Sequence, residues 1–216
     1  MKTKNFYAKN YFFGLSLTIL ILGLIAFSDN LIFDVGQESN SNPVFIIHGL
    51  LMYAWVIVLI IQTNRIRKLK FNEHMRFGQI GFVVSLLFIL STAYIYLFYV
   101  NTPWQKLFFN AKANRIFLPV FALMILASYI YRRKVELHKH LIFVGMLLIM
   151  EPILTRVAVS FGLNAFITAP IIWLILWASL FIYDFVSKRR IHPLTYGGLI
   201  FWFAVYITIF LTSKKP

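Results

Sequence analysis

The stretch Val44-Phe-Ile-Ile-His48-Gly-Leu-Leu-Met52-Tyr-Ala-Trp55-Val-Ile-Val-Leu-Ile-Ile-Gln62 decides the fold. It carries no Asp, Glu, Lys or Arg, and as a helix rising 1.5 Å per residue it is long enough to cross the roughly 30 Å hydrocarbon core of a bilayer. Runs of the same kind recur at Tyr11 to Phe27, Gln79 to Val100, Arg115 to Tyr131, His140 to Phe161, Phe166 to Phe185 and Tyr196 to Thr212. The pattern predicts an all-α, polytopic membrane bundle of about seven transmembrane helices, forming one domain over residues 1–216.

Composition agrees. Apolar residues make up 60% of the chain and charged ones only 13%, against about a quarter charged in soluble domains. No polar stretch is long enough to build a water-soluble core. The chain has no cysteine, which excludes disulfides, thiolate metal ligands and a cysteine nucleophile.

The formal charge of +14 could suggest nucleic acid, but the basic residues sit in short segments between apolar runs. There they act as topology signals and contacts for anionic lipid head groups, so no nucleic-acid partner is expected. Lys2, Lys4 and Lys9 precede the first run. Arg65, Arg67, Lys68, Lys70 and Arg76, then Arg132, Arg133, Lys134 and Lys139, then Lys188, Arg189 and Arg190 fill alternate loops. By the positive-inside rule these segments face the cytoplasm, fifteen basic residues inside against five outside, Lys106, Lys112, Arg115, Lys214 and Lys215. The amino terminus is then cytoplasmic and the carboxyl terminus external, as in a protein of a bacterial inner membrane. The first run has the basic flank of a signal peptide but is long for one and no Ala-x-Ala site follows, so it is expected to be retained. The longest outer connection, Ser28 to Pro43, carries Asp29, Asp34 and Glu38 without the ligand set of a calcium loop, and reads as a solvated cap.

Two constellations can carry chemistry. The first is a weak repeat: Lys70-Phe-Asn-Glu-His74, Lys134-Val-Glu-Leu-His138 and Lys188-Arg-Arg-Ile-His192 each set a histidine four residues after a lysine near the start of an outward-going helix. At one membrane depth, His74, His138 or His140, and His192 could converge on a metal such as zinc or on an acidic head group. The bland reading is chance in Lys-rich loops. His138 and His140 point about 160 to 200° apart on a helix and would not share one ion. Asp184 could orient His192, or meet Lys188 one turn on.

The second constellation is Glu151 and Arg156, within an apolar run. Insertion scales charge roughly 2.5 to 3.5 kcal/mol for an acid or arginine at a helix centre, so each is expected to point inward to a partner. His48 and Asn114 with Arg115 are the candidates, with His48 and Glu151 as a proton-carrying pair. Pro152 removes a backbone donor and frees a carbonyl near Leu148. Tyr94, Tyr96, Tyr99 and Trp104 read as an aromatic belt, and Trp173 and Trp177 as packing.

The segments His48 to Gln62, His74-Met-Arg-Phe-Gly78 and His138-Lys-His140 to Arg156 resemble a broad group of uncharacterised bacterial multi-helix membrane proteins. More distantly, they look like b-type membrane cytochromes. That resemblance implies haem b held by histidines from different helices, with only His48 available towards the outer face. The last helix contains no lysine for a retinal Schiff base. It also lacks the intramembrane histidine pair of membrane zinc hydrolases. Three functions follow as expectations: a metal- or haem-binding, redox protein with His48, Glu151 and Arg156 as its polar pathway; a proton-linked transporter titrating at Glu151; or a non-catalytic subunit with protein partners in the membrane.

Overall fold

The computed structural model describes residues 2–213; Lys214 and Lys215 lie outside the described residues, as do the side chains of Lys2 and Lys4. Eight α-helices follow in order: α1 Lys2–Ala26, α2 Pro43–Arg67, α3 Phe71–Tyr94, α4 Phe109–Ile130, α5 Val135–Leu148, α6 Glu151–Ser160, α7 Ala165–Lys188 and α8 Pro193–Ser213. No strand occurs among the described residues. Six helices are long and apolar enough to cross a membrane. The pair α5 and α6 passes the same test together, either as a broken span, which would make seven, or as a re-entrant loop. The chain is therefore an all-helical integral membrane protein.

Helices extend further towards the basic segments than the apolar runs alone indicate. α1 begins at Lys2 rather than Tyr11, α2 continues to Arg67 rather than Gln62, and α5 begins at Val135 rather than His140. Helical backbone satisfies itself in any solvent, while long Lys and Arg side chains reach sideways to water, so a helix need not stop where hydrocarbon stops. α2 ends on Leu69 in the left-handed region, φ 59°. Lys70 N–H bonds Arg65 O at 2.8 Å and Leu69 N–H bonds Ile66 O at 3.0 Å, the paired closure that usually uses glycine.

The contacts gather into two compact units. One comprises α1, α2, α3 as far as Thr92, and Ile153–Ile171. Within it α1 packs along α2, and Tyr53 Oη donates to Gly23 O at 3.0 Å. α2 buries Met52, Trp55, Val56 and Leu59, and α3 buries Gly81, Ser85, Phe88 and Ile89. Both sets follow the three-and-four spacing of a single helix stripe. Gly81 allows the closest approach, since a Cβ there would stand 2.7 Å from Val58 Cγ1. The loop after α1 is an ordered cap. Asn30 Nδ2 donates to Asn40 Oδ1 at 2.9 Å, and Asn40 Nδ2 donates to Asn30 O at 2.8 Å and Val35 O at 3.0 Å.

The other unit runs from Ala93 to Pro152 and resumes at Ile172 with the rest of α7 and α8. Here α5 is the central helix, buried at His140, Leu141 and continuously from Phe143 to Leu148, with α4 and α8 against it. A helix apolar all round belongs in the middle of a bundle. Gly198 of α8 makes the approach possible: a Cβ there would lie 2.8 Å from Trp177 Cη2 and closer still to Val144 Cγ1.

Candidate functional site

α5 stops at Leu148 and a new helix starts at Glu151. Pro152, as second residue of α6, has no N–H to give to the preceding turn, so the i to i−4 ladder ends there and restarts. Beside the break, Trp173 Nε1 donates to Leu147 O, which Met150 N–H also approaches at 3.5 Å. Trp173 and Trp177 are both buried packing residues, as expected. Glu151 is 6% exposed and accepts from Asn114 Nδ2 at 2.6 Å. Tyr96 and Tyr206 both lie within the field of its carboxylate. Arg115, the other expected partner at this end, instead donates to Val100 O, with Thr102 O at 3.4 Å, and closes the π turn Ile95–Tyr99 that ends the previous span.

The second buried polar cluster stands where α5 begins, α7 ends and α8 begins. Asp184, in the last turns of α7, accepts from His140 Nε2 at 2.7 Å, from the backbone N–H of His192 at 3.0 Å and from Thr195 Oγ1 at 2.6 Å. His140 Nδ1 lies 2.7 Å from Glu136 O. Both nitrogens of His140 thus face acceptors, one a carbonyl and one a carboxylate. The ring is thereby fixed at both nitrogens, to the backbone of its own helix and to the carboxyl group of Asp184. Arg189 adopts the left-handed region, φ 58°, and turns the chain so that His192 N–H reaches back to Asp184. His192 then caps α8: its Nδ1 accepts from Leu194 N–H at 3.2 Å, ahead of Pro193 at the first helical position.

The ring of His192 stacks on that of His140, centroids 4.0 Å apart and planes 12° from parallel. His192 lies in the loop outside the spans. Burial and then the adjacent His140 push its pKa below the ordinary histidine value, opposed in part by Asp184 and Glu136. A cleft of about 240 Å³ opens beside this cluster, lined by Glu136, His140, Asp184, Lys188, Arg190 and His192, among others.

The remaining expected residues have other partners. His48 belongs to the first unit, where its Nδ1 meets Ser91 Oγ at 3.0 Å and its ring stacks on Phe88. Ser91 gives its own proton to Phe88 O, so the shared hydrogen is on Nδ1. His74, in the same unit, faces the amide of Gln62, which, turned so that its nitrogen points to His74, donates to the His74 carbonyl at 3.0 Å and to Nδ1. His138 turns its Nδ1 to Ser128 O at 2.8 Å, away from the partners of His140, as their angular separation predicts. Arg156 does not point inward as expected. It is exposed, with its guanidinium 4.7 Å from the ring centre of Phe27, because it sits one turn before the end of α6 where a long side chain can reach the polar boundary. Asp184 meets the backbone of His192 rather than Lys188, which pairs with Glu136 at 3.1 Å.

No known protein family, curated protein or solved structure matches this chain.

A metal or haem needs imidazole lone pairs that converge. His140 has both nitrogens on acceptors and offers none. Stacked rings 4.0 Å apart direct their in-plane lone pairs along parallel planes rather than to a common point. Among the described residues no group of three or more His, Asp or Glu is arranged to hold a metal ion. The donor set of the second unit does not fit a three-histidine centre.

Proposed function

We propose that this chain is a small proton-linked membrane carrier in which Glu151 is the group that gains and loses the proton. The supporting observation is the position of the carboxylate: buried, and the first residue of a helix that restarts after a break within a candidate span. A coupling acid in a membrane must be kept from lipid and must have neighbours that tolerate both its charged and its neutral forms. Asn114 donates to either form. Interrupted helices with their ends at a polar site are the recurring device of secondary transporters. Seven spans do not divide into two inverted halves and no paired broken helices can be read from the sequence, which weighs against a carrier; the interruption at Ile149 and Met150 supplies one broken helix in its favour. In this reading the spans number seven, the basic loops face the cytoplasm, and the host is a bacterial inner membrane.

The test is reconstitution into proteoliposomes on a solid-supported membrane, with concentration jumps of small organic cations, organic anions and amino acids, and an entrapped pH dye. One class should move charge or protons in wild type and not in Glu151→Gln, with both proteins equally helical by circular dichroism. Equal signals in the two proteins, or none from wild type with any class, would sink the proposal.

A further inference from the structure

We infer that the cleft between the end of α7 and the start of α8 is a binding site for a phosphate group. The argument rests on which hydrogen-bonding atoms of the cleft are already satisfied. Its acids are. Asp184 accepts three hydrogen bonds, from His140, His192 N–H and Thr195. Glu136 accepts from Lys139 at 2.8 Å and from Lys188 at 3.1 Å. The N–H groups at the start of α8 are satisfied too, since Leu194 N–H bonds His192 Nδ1 and Thr195 N–H bonds His192 O.

Among the side chains of the cleft, donors remain open. Arg190 lines the cleft and has no hydrogen bond or ion pair among the described residues. Lys188 has three N–H bonds and a single partner. With Nδ1 of His192 engaged as an acceptor, its proton is on Nε2. A cleft whose carboxylates already hold hydrogen-bond donors and whose surplus side-chain groups are a guanidinium, an ammonium and an imidazole N–H suits an anion rich in acceptors. The guanidinium fork matches two phosphate oxygens at once. The volume of about 240 Å³ is far above the ~10–15 Å³ that admits one water molecule. A phosphate could be presented here by a lipid head group, since both flanking helices are apolar spans, or by a soluble phosphate or phosphomonoester. This site does not depend on Glu151.

The experiment uses the purified full chain. In the first arm, inorganic phosphate is titrated against chloride at matched ionic strength, in detergent, by calorimetry. In the second, nanodiscs of phosphatidylcholine with or without phosphatidic acid are compared for protein-retained lipid by native mass spectrometry. Phosphate binding in the first arm assigns a soluble ligand, and retained phosphatidic acid alone assigns a lipid. In either case Arg190→Gln should weaken binding at least about tenfold, while Arg132→Gln, on a different loop and outside the cleft, should not. Lys188→Gln tests the same point independently. Binding in neither arm, or equal losses in Arg190→Gln and Arg132→Gln, would overturn the assignment and reduce it to diffuse attraction to basic loops.

Discussion

His140 and Asp184, on α5 and α7, meet at 2.7 Å with each side chain only 1% exposed. Burying polar groups is costly unless their hydrogen-bonding atoms are matched. Here the backbone of Glu136 and His192 and the hydroxyl of Thr195 complete the match.

Breaking that pair from one side is therefore expected to be more harmful than removing it altogether. Asp184→Leu should cost about 1–3 kcal/mol per stranded group, because it leaves the buried His140 nitrogen and Thr195 hydroxyl without their partner, whereas the double variant His140→Met with Asp184→Leu should cost less than the single one. Thermal unfolding followed by tryptophan fluorescence in detergent gives the comparison. Additive losses in the two single variants would show that the residues do not interact.

Stability should fall on mild acidification, and His192 should be one cause. Burial and the adjacent His140 depress its pKa in the folded protein, while the unfolded chain binds the proton near the ordinary value of about 6.5. The contribution is complete above that value and is lost as pH falls from it through the lower folded value. Acid also breaks the cap, since a protonated Nδ1 can no longer accept from Leu194 N–H. In His192→Gln the slope of Tm against pH across this window should flatten; an unchanged slope would assign the titration elsewhere.

Two adjacent glycines should behave oppositely. Gly197 has open space where a Cβ would go, whereas one on Gly198 would run into Trp177 and Val144. Gly198→Ala should therefore destabilise by about 1–3 kcal/mol through overpacking, and Gly197→Ala should be neutral or slightly stabilising through helix propensity. Matching unfolding temperatures for the two would mean that α8 does not approach α5 and α7 this closely.

The indole of Trp173 should matter as a donor as well as a packing group. Trp173→Phe keeps most of the apolar surface but removes the N–H that reaches Leu147 O at the break. The expected loss is about 1 kcal/mol, with faster amide hydrogen exchange at Ile149 and Met150 than in wild type. Unaltered exchange there would mean that the bond does not hold the break.

The helices were legible because hydrocarbon imposes one requirement, length of apolar run, that a single sequence displays directly. The break was half legible: Pro152 announced a lost donor, but whether the helix bends or restarts depends on what receives the freed carbonyl, and Trp173 lies on another helix. The pairing of Asp184 could not be read. From sequence it had two local candidates, His192 and Lys188, whereas its side-chain partner His140 lies on α5 and is brought to it only by packing. The lysine-to-histidine repeat reflects a shared position rather than a shared role. His74 and His138 each sit in the first turn of a helix and His192 just before one, yet they bond an amide, a carbonyl and a helix N–H. Arg156 was misplaced because its distance from the end of α6 could not be known before the break was.

The interruption before Glu151 also bears on how the protein is made. α6 spans Glu151–Ser160, about 15 Å of helix, half of what a hydrocarbon core requires. With Glu151 and Arg156 aboard it does not suffice as a separate membrane-spanning segment. Synthesis runs from the amino end, so Asn114 leaves the ribosome before Glu151 does. The order of the chain thus delivers the hydrogen-bond donor before the acid that needs it.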